Sequence, residues 1–342
     1  MKLDDADWPS FGWIADIRPA LRAAVDGGRS VVIGTLVRTD GPTPRPAGTQ
    51  MLFDGLAATG YFSGGCLEAD VANHAAAVQA DGAPRYLVYG QGSPWLDIRL
   101  LCGGRIELLL ERVAPPDPAV AQLLALERQR RDAWWWSDGQ RRIAGATPPT
   151  PPSSEDAPHY AIHYPPGWRV IVIGGDPIAL AIAQLAATAG FDSILVRPDG
   201  PAGPPPIGPV DYRREHPAAA LAALGTDRWT AVVAASHDDA LDDAALRAAV
   251  DAGAGYIGVL GAARRKGERD RRLAAAGLSP GQIAAVHAPI GTRRCGKAPW
   301  EVAVSVIAEI MESRHSRLAN AALSRENQPV GCRDLHKCTG TA

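Results

Sequence analysis

Hydrophobic and polar positions follow two regimes along this chain. In the first, helical spacing and short apolar runs are interleaved. Residues 14–27 carry helical spacing and stop at Gly27-Gly28, and SVVIGTLV (30–37) is the apolar run of a buried strand. The loop RTDGPTPRPAGT (38–49) follows, stiffened by three prolines. Residues 49–54 and 56–62 read as paired strands about an Asp54-Gly55 turn. A helix is expected from near Cys66 to about Gln79, then strands at 85–89 and 105–113, with Pro115-Pro116 as a stop. Residues 117–131 read as a polar helix, and AWWWSDGQRRIA as a hairpin turning at Asp138-Gly139. The stretch TPPTPPSSEDAP (147–158) has no period and few apolar residues, as a linker does.

From residue 169 the regime changes to strand, helix, strand. RVIVIGG runs into glycines, and the helical stretch 177–190 has Pro177 in its first turn and Gly190 past its end. Strands follow at 193–196, 230–235 and 255–260, with a helix over 239–251. Ser279-Pro280 reads as a helix cap and first turn, and 299–314 as the last helix. This alternation requires a parallel sheet with crossover helices. The expected class is α/β: an N-terminal α+β domain (1–115), a connecting helix, hairpin and linker (116–165), a Rossmann-like domain (166–315) and a flexible tail (316–342).

Composition narrows the function. The chain has 342 residues, 35 basic against 37 acidic, for a net charge of −2, so a nucleic-acid partner is not expected. No apolar run approaches the length of a membrane span, and Asp4, Asp5 and Asp7 stand where a signal peptide would be basic. Five cysteines over this length read as reduced thiols in a cytoplasmic protein.

Three places carry candidate chemistry. The first is Gly174-Gly175-Asp176-Pro177-Ile178-Ala179, a strand-to-helix turn of the dinucleotide type. There Asp176 replaces the second glycine, and the second strand ends in Arg197 rather than an acid. Such a turn presents backbone N–H groups to a pyrophosphate, but a carboxylate at the second position opposes an anion. Arg197 could favour a 2′-phosphate, or the site could be dead; an NAD(P)-binding oxidoreductase is the alternative function, motivated by the Rossmann pattern and opposed by Asp176 and Arg197. The second is the pair Ser63-Gly64-Gly65-Cys66 and Cys102-Gly103-Gly104. A diglycine beside each thiol suits close approach of a bulky, anionic or soft-metal ligand, or else tight turns beside two buried structural thiols. The third is Arg45, set between Pro44 and Pro46 as an anion clamp or a solvated surface residue. The tail set Cys332, His336 and Cys338 matches no zinc spacing and reads as incidental, and the Trp134-Trp135-Trp136 run reads as packing.

Taken together, RTDGPTPRPAGTQM, GYFSGGCLEADV and GSPWLDIRLLCGGRIELLLE resemble the N-terminal domain of the XdhC/CoxI family. AVVAASHDDALDDAALRAA, GYIGVLGAARRKGERDRRLAAAGL and VHAPIGTRRCGKAPWEVAVSVIAEI resemble its C-terminal half, so the match spans about residues 14–314. The resemblance implies a factor that binds the molybdenum cofactor, supports its sulfuration with a cysteine desulfurase, and delivers it to the large subunit of a molybdenum hydroxylase such as xanthine dehydrogenase or CO dehydrogenase. A homodimer is implied as well. It makes Cys66 and Cys102 the candidate molybdenum contacts. Arg45, Ser63, Gly64, Gly65, Gly103 and Gly104 would surround them, with Gly174, His237, Asp238 and Lys297 as further cofactor contacts. The chain departs from the family pattern at Asp176, at Arg197 and over residues 292–295.

Overall fold

In a computed structural model, residues 10–65, 67–93, 100, 102–149, 159–292 and 295–323 are described. The chain divides into two compact units that meet at Pro166 and Gly167.

The first unit contains α1 (Arg18–Asp26), β1 (Val31–Asp40), β2 (Gln50–Phe53), β3 (Ala58–Thr59), α2 (Glu68–Asp81), β4 (Arg85–Gly90), β5 (Arg105–Val113), α3 (Pro118–Arg128), β6 (Ala133–Ser137), β7 (Arg142–Gly145) and β8 (Tyr160–Tyr164). Its main sheet has the order β3-β2-β1-β5-β4, antiparallel throughout. The run SVVIGTLV becomes a central strand because both faces are covered. Val32 and Leu36 face α2 through Val71, Ala75 and Val78. Val31 and Ile33 face the opposite layer, where Leu21 of α1, Leu123 of α3 and Trp135 of β6 pack. Burying each such side chain is worth about 1.5–3 kcal/mol.

The expected hairpin is present and gains a third strand, giving the order β7-β6-β8. Trp135 is buried in it and donates from Nε1 to the Tyr160 hydroxyl at 3.1 Å. Helix α3 and this small sheet thus belong to the core of the first unit. β8 is an addition to the expected elements. YAIHY is a short run with a histidine inside it, directly after the proline-rich stretch, so its period is hard to read.

The second unit contains β9 (Arg169–Gly174), α4 (Pro177–Thr188), β10 (Asp192–Val196), β11 (Asp211–Arg213), α5 (Pro217–Ala223), β12 (Thr230–Ala235), α6 (Asp239–Asp251), β13 (Tyr256–Val259), α7 (Lys266–Ala275), α8 (Pro280–Ala284) and α9 (Pro299–Leu323). The sheet is parallel with order β11-β10-β9-β12-β13. This is the doubly wound 3-2-1-4-5 order, whose switch point lies between β9 and β12. Alternate residues divide the faces. Val170, Val172 and Val233 pack with α4 and α9, whereas Ile171, Ile173 and Val232 pack with α5, α6 and α7. The strand-helix alternation from residue 169 thus gives the Rossmann-like sheet. β11, α5 and α7 also add to the expected elements, the first two being short and the third strongly charged on its exposed faces. Ser279 caps α8 in a capping box. Helix α9 runs on to Leu323, beyond the apolar period that ends near residue 314.

Candidate functional site

Sheet direction decides which loops of the first unit meet. β1 ends at Asp40, β4 ends at Gly90 and β5 starts at Arg105, and the registers Asp40↔Arg105 and Gly90↔Arg105 place all three at one end of the sheet. β3 runs antiparallel to β2, so Gly60 leaves it at the same end, against the carbonyl of Gln50. The Arg45 loop, the turn over 63–67 and the turn over 102–104 therefore share one rim of the sheet. Cys66 lies outside the described residues. Cys102 is a free, exposed thiol.

The glycines on this rim have different work. Gly104 lies against the Pro42 backbone, and a Cβ there would stand 2.1 Å from the Pro42 carbonyl oxygen. That contact joins the Cys102 turn to the Arg45 loop. Gly64, Gly65 and Gly103 have positive φ (84°, 123° and 74°) and open space where a Cβ would be. Their backbone is therefore open to approach. Arg45 lies over the Tyr61 ring, 4.8 Å from its centroid, and its buried Nε has no hydrogen-bond partner among the described residues.

The turn over 63–67 departs from expectation in one respect. The N–H groups of Phe62, Ser63, Gly64, Gly65 and Leu67 do not face an outside anion, because Glu68 occupies them. Glu68 Oε1 accepts from the N–H groups of Phe62 (2.9 Å), Ser63 (2.7 Å) and Gly64 (3.1 Å). Oε2 accepts from the N–H groups of Gly65 (2.8 Å) and Leu67 (3.2 Å) and from the Ser63 hydroxyl (2.8 Å). Burial alone would push this carboxyl up, but the Ser63 and Phe62 donors outweigh it and hold Glu68 below the usual carboxylate range. Glu68 is the residue that sequence reading missed. The signal was an acid at the first turn of a helix, just after a diglycine whose N–H groups need an acceptor. From the same first turn of α2, Asp70 accepts from the Tyr89 hydroxyl of β4 at 2.5 Å, which anchors the helix start to the sheet.

In the second unit, the switch point holds a cleft of about 390 Å³ whose walls include Gly174, Gly175, Asp176, Arg197, Ser236 and Asp238. Asp176 caps α4, accepting from the Ala179 N–H at 2.8 Å, and its other oxygen lies 3.0 Å from His237 Nε2. Arg197 crosses Gly175 so closely that a Cβ there would stand 2.4 Å from the Arg197 side chain. A carboxylate thus sits on the helix N-terminus and a guanidinium on the glycine backbone, where a dinucleotide turn leaves room for pyrophosphate. Asp238 caps α6 through the N–H groups of Ala240 and Leu241, at 2.8 and 3.2 Å. His237 is well exposed and takes a left-handed backbone, φ 61°. The buried Asp242 accepts from the Ser236 N–H and hydroxyl, at 3.1 and 2.7 Å, and burial raises its carboxyl above the ordinary value. Lys297 is exposed on the turn into α9. Among the described residues no three His, Cys, Asp or Glu side chains are grouped to hold a metal ion; the tail residues Cys332, His336 and Cys338 lie outside them. No helix among the described residues is long and apolar enough to cross a membrane.

Comparison with known proteins agrees with both halves of this description. The family model for the XdhC and CoxI family matches residues 24–90, and the model for the XdhC Rossmann domain matches residues 170–310. A molybdenum cofactor insertion chaperone of Escherichia coli, PaoD, is 33% identical over 304 residues, covering 87% of this chain and 89% of its own. A Bacillus subtilis protein named as a probable subunit of xanthine dehydrogenase is 25% identical over 339 residues, covering 86% and 96%. A solved structure from Bacillus halodurans, described as a xanthine dehydrogenase, shares the fold with a TM-score of 0.67 at 22% identity, over 88% of this chain and 96% of that one. A parallel Rossmann-like unit that follows an antiparallel α+β unit in the sequence, with both family models in that order and a relative above 30% identity along most of its length, places this chain in the XdhC and CoxI family.

Proposed function

We propose that the chain is a molybdenum cofactor-binding chaperone that supports insertion of the cofactor into a molybdenum hydroxylase. The observation that carries this reading is the shared rim of the first unit, where Arg45, the Gly64-Gly65 turn and the Cys102-Gly103-Gly104 turn leave one end of the sheet. The cofactor is cargo: a large, anionic pterin that carries a metal through sulfur. A rim with an exposed thiol, an orphaned guanidinium N–H and open glycine backbone suits such a cargo and leaves it free to depart. Cys102 and Cys66 are the proposed molybdenum contacts. Arg45 holds the anionic end, and Glu68, by taking the turn's N–H groups, sets the backbone on either side of Cys66. Anion binding thus falls to side chains rather than to the N–H groups that Glu68 holds.

The same reading takes the large subunit of a molybdenum hydroxylase for the client, a cysteine desulfurase for the source of the cofactor's terminal sulfur, and a homodimer for the working state. Gly174, His237, Asp238 and Lys297 form a second set of proposed contacts. His237 and Lys297 present exposed side chains, while the Asp238 carboxylate is committed to capping α6. An NAD(P)-dependent reaction is disfavoured by Asp176 and Arg197, which fill the place of the pyrophosphate.

The test is to purify the protein from cells that make the cofactor and to assay bound molybdenum and pterin. The wild type is expected to carry both in equal amounts. Cys66→Ala with Cys102→Ala is expected to lose at least tenfold while retaining the wild-type unfolding curve. No cofactor on the wild type, or equal loading of the double variant, contradicts the proposal.

A further inference from the structure

A second, smaller cavity lies on the other side of His237, between α6, α7 and the carboxyl end of β13. Its volume is about 60 Å³, roughly twice a water's share of the liquid. That excludes a pterin or a nucleobase and leaves room for one oxyanion group. Three arginines of the segment entering and forming α7 line it: Arg265, Arg269 and Arg272.

Two of these arginines are neutralised. Arg265 pairs with Asp239 at 2.7 Å. Arg272 pairs with Asp243 at 2.6 Å and with Asp239 at 3.2 Å. Arg269 differs. It is 6% exposed, it forms no hydrogen bond or ion pair among the described residues, and its Nε is buried without a partner. Its Nη1 lies 3.7 Å from where a Cβ of Gly261 would be, in the turn that closes the cavity, and that glycine has a positive φ of 151°. Burial lowers the Arg269 guanidinium from the ordinary arginine value, yet arginine remains charged at neutral pH. A buried charge without a partner destabilises a fold, and it persists where something outside the fold completes it. The carboxyl end of a parallel sheet is also where such folds receive ligands.

We propose that Arg269 is the anchor of a phosphate-binding site in the second unit, with Arg265 and His237 at its mouth. The ligand is an inorganic phosphate or the phosphomonoester end of a larger molecule. A guanidinium fork takes two phosphate oxygens at once, which a lysine does not. Three carboxylates share this wall: Asp239 and Asp243 stay tied to Arg265 and Arg272, and Asp242 is held by the Ser236 N–H and hydroxyl with its carboxyl raised by burial, so the anion meets the one unpaired cation among the described residues of the cavity wall. The site stands independently of cofactor binding by the first unit.

The experiment is thermal unfolding and calorimetric titration of the full chain with inorganic phosphate and with adenosine 5′-monophosphate, at constant ionic strength. Phosphate at 10 mM is expected to raise Tm by about 2–4 °C. Arg269→Gln is expected to weaken binding at least tenfold, Arg269→Lys to fall between, and Arg271→Gln, an exposed neighbour on α7, to bind as the wild type does. Without phosphate, Arg269→Met is expected to have a higher Tm than the wild type, because an unpaired buried charge is gone; a purely structural arginine would lower it. Tighter binding of the nucleotide than of inorganic phosphate identifies the phosphate end of a larger ligand, and the reverse order identifies the free anion. No response of the wild type to either anion, undiminished binding by Arg269→Gln, or a lower Tm for Arg269→Met overturns the proposal.

Discussion

The two units each carry a glycine-rich turn ahead of a helix, and each turn is filled by a carboxylate of the chain itself. They are filled very differently. In the first unit Glu68 is 2% exposed and gathers five N–H groups and a hydroxyl. In the second, Asp176 takes one N–H group and an exposed histidine. Glu68 is a keystone that fixes one backbone shape, whereas Asp176 is a cap that the fold tolerates losing. A diglycine before a helix therefore does not by itself make an anion site. Whether the N–H groups are free depends on whether an acid stands within reach a few residues on.

The largest expected effect follows from that difference. Glu68→Gln brings an amide NH2 against a ring of donors and removes a charged acceptor, so it is expected to cost about 3 kcal/mol in urea unfolding and to abolish cofactor loading. Glu68→Asp is not expected to rescue it, because the shorter side chain does not span both sides of the turn. An unfolding curve like that of the wild type would show that the keystone reading is wrong. Asp176→Ala, by contrast, is expected to cost about 1 kcal/mol, the worth of an N-cap. Asp176→Gly is expected to cost only a few tenths of a kcal/mol and to allow NADH or NADPH binding where the wild type is expected to show none. Failure to gain it would assign the block to Arg197 alone.

Within the rim of the first unit, Gly103 and Gly104 sharpen the same lesson. Gly104→Ala sets a methyl against the Pro42 carbonyl and must move the backbone, so a loss of about 3 kcal/mol is expected together with reduced loading. Gly103→Ala meets nothing and is strained only by its left-handed backbone, about 1 kcal/mol. Equal losses for the two would show that the Cys102 turn does not rest on the Arg45 loop.

The smallest effect is in pH, and the two units have opposite signs. Glu68 is held below its ordinary value of 4.5, so its contribution is fully present above that pH and is lost as pH falls through the lower folded value. Asp242 is raised above its ordinary 3.8, so its contribution is greatest below 3.8 and declines as pH rises through the raised folded value. Urea midpoints between pH 3 and 6 are expected to lose the acid-side fall in Glu68→Gln and the opposing slope in Asp242→Asn. The same sign for both variants would contradict the assignment of Glu68 to hydrogen bonding and of Asp242 to burial.

Both layers of each unit are legible in the sequence where apolar periods are long. The strand of 30–37 and the strand-helix alternation from 169 are of this kind. β8, β11, α5 and α7 are not, because they are short or charged and are held by their neighbours rather than by their own period. At the site, Arg45, Gly64-Gly65 and Cys102-Gly103-Gly104 stand out in the sequence as loop and turn residues, since glycines and prolines carry their backbone preferences in the residues themselves; that these loops share a rim follows only from the strand registers. Glu68 and Arg269 escape such reading, because what distinguishes them is the presence or absence of a partner, and that is a property of three dimensions. Asp176 and Arg197 are legible as departures, and their geometry gives the departures a physical form.

The cargo is expected on the rim of the first unit, and loading of single variants distinguishes that rim from the second unit. Purified from cells that make the cofactor, Arg45→Ala and Cys102→Ala are expected to lose at least tenfold of the bound molybdenum and pterin, while His237→Ala keeps most of both. Full loading of the Arg45 and Cys102 variants beside an empty His237 variant would contradict the account and move the cargo to the second unit.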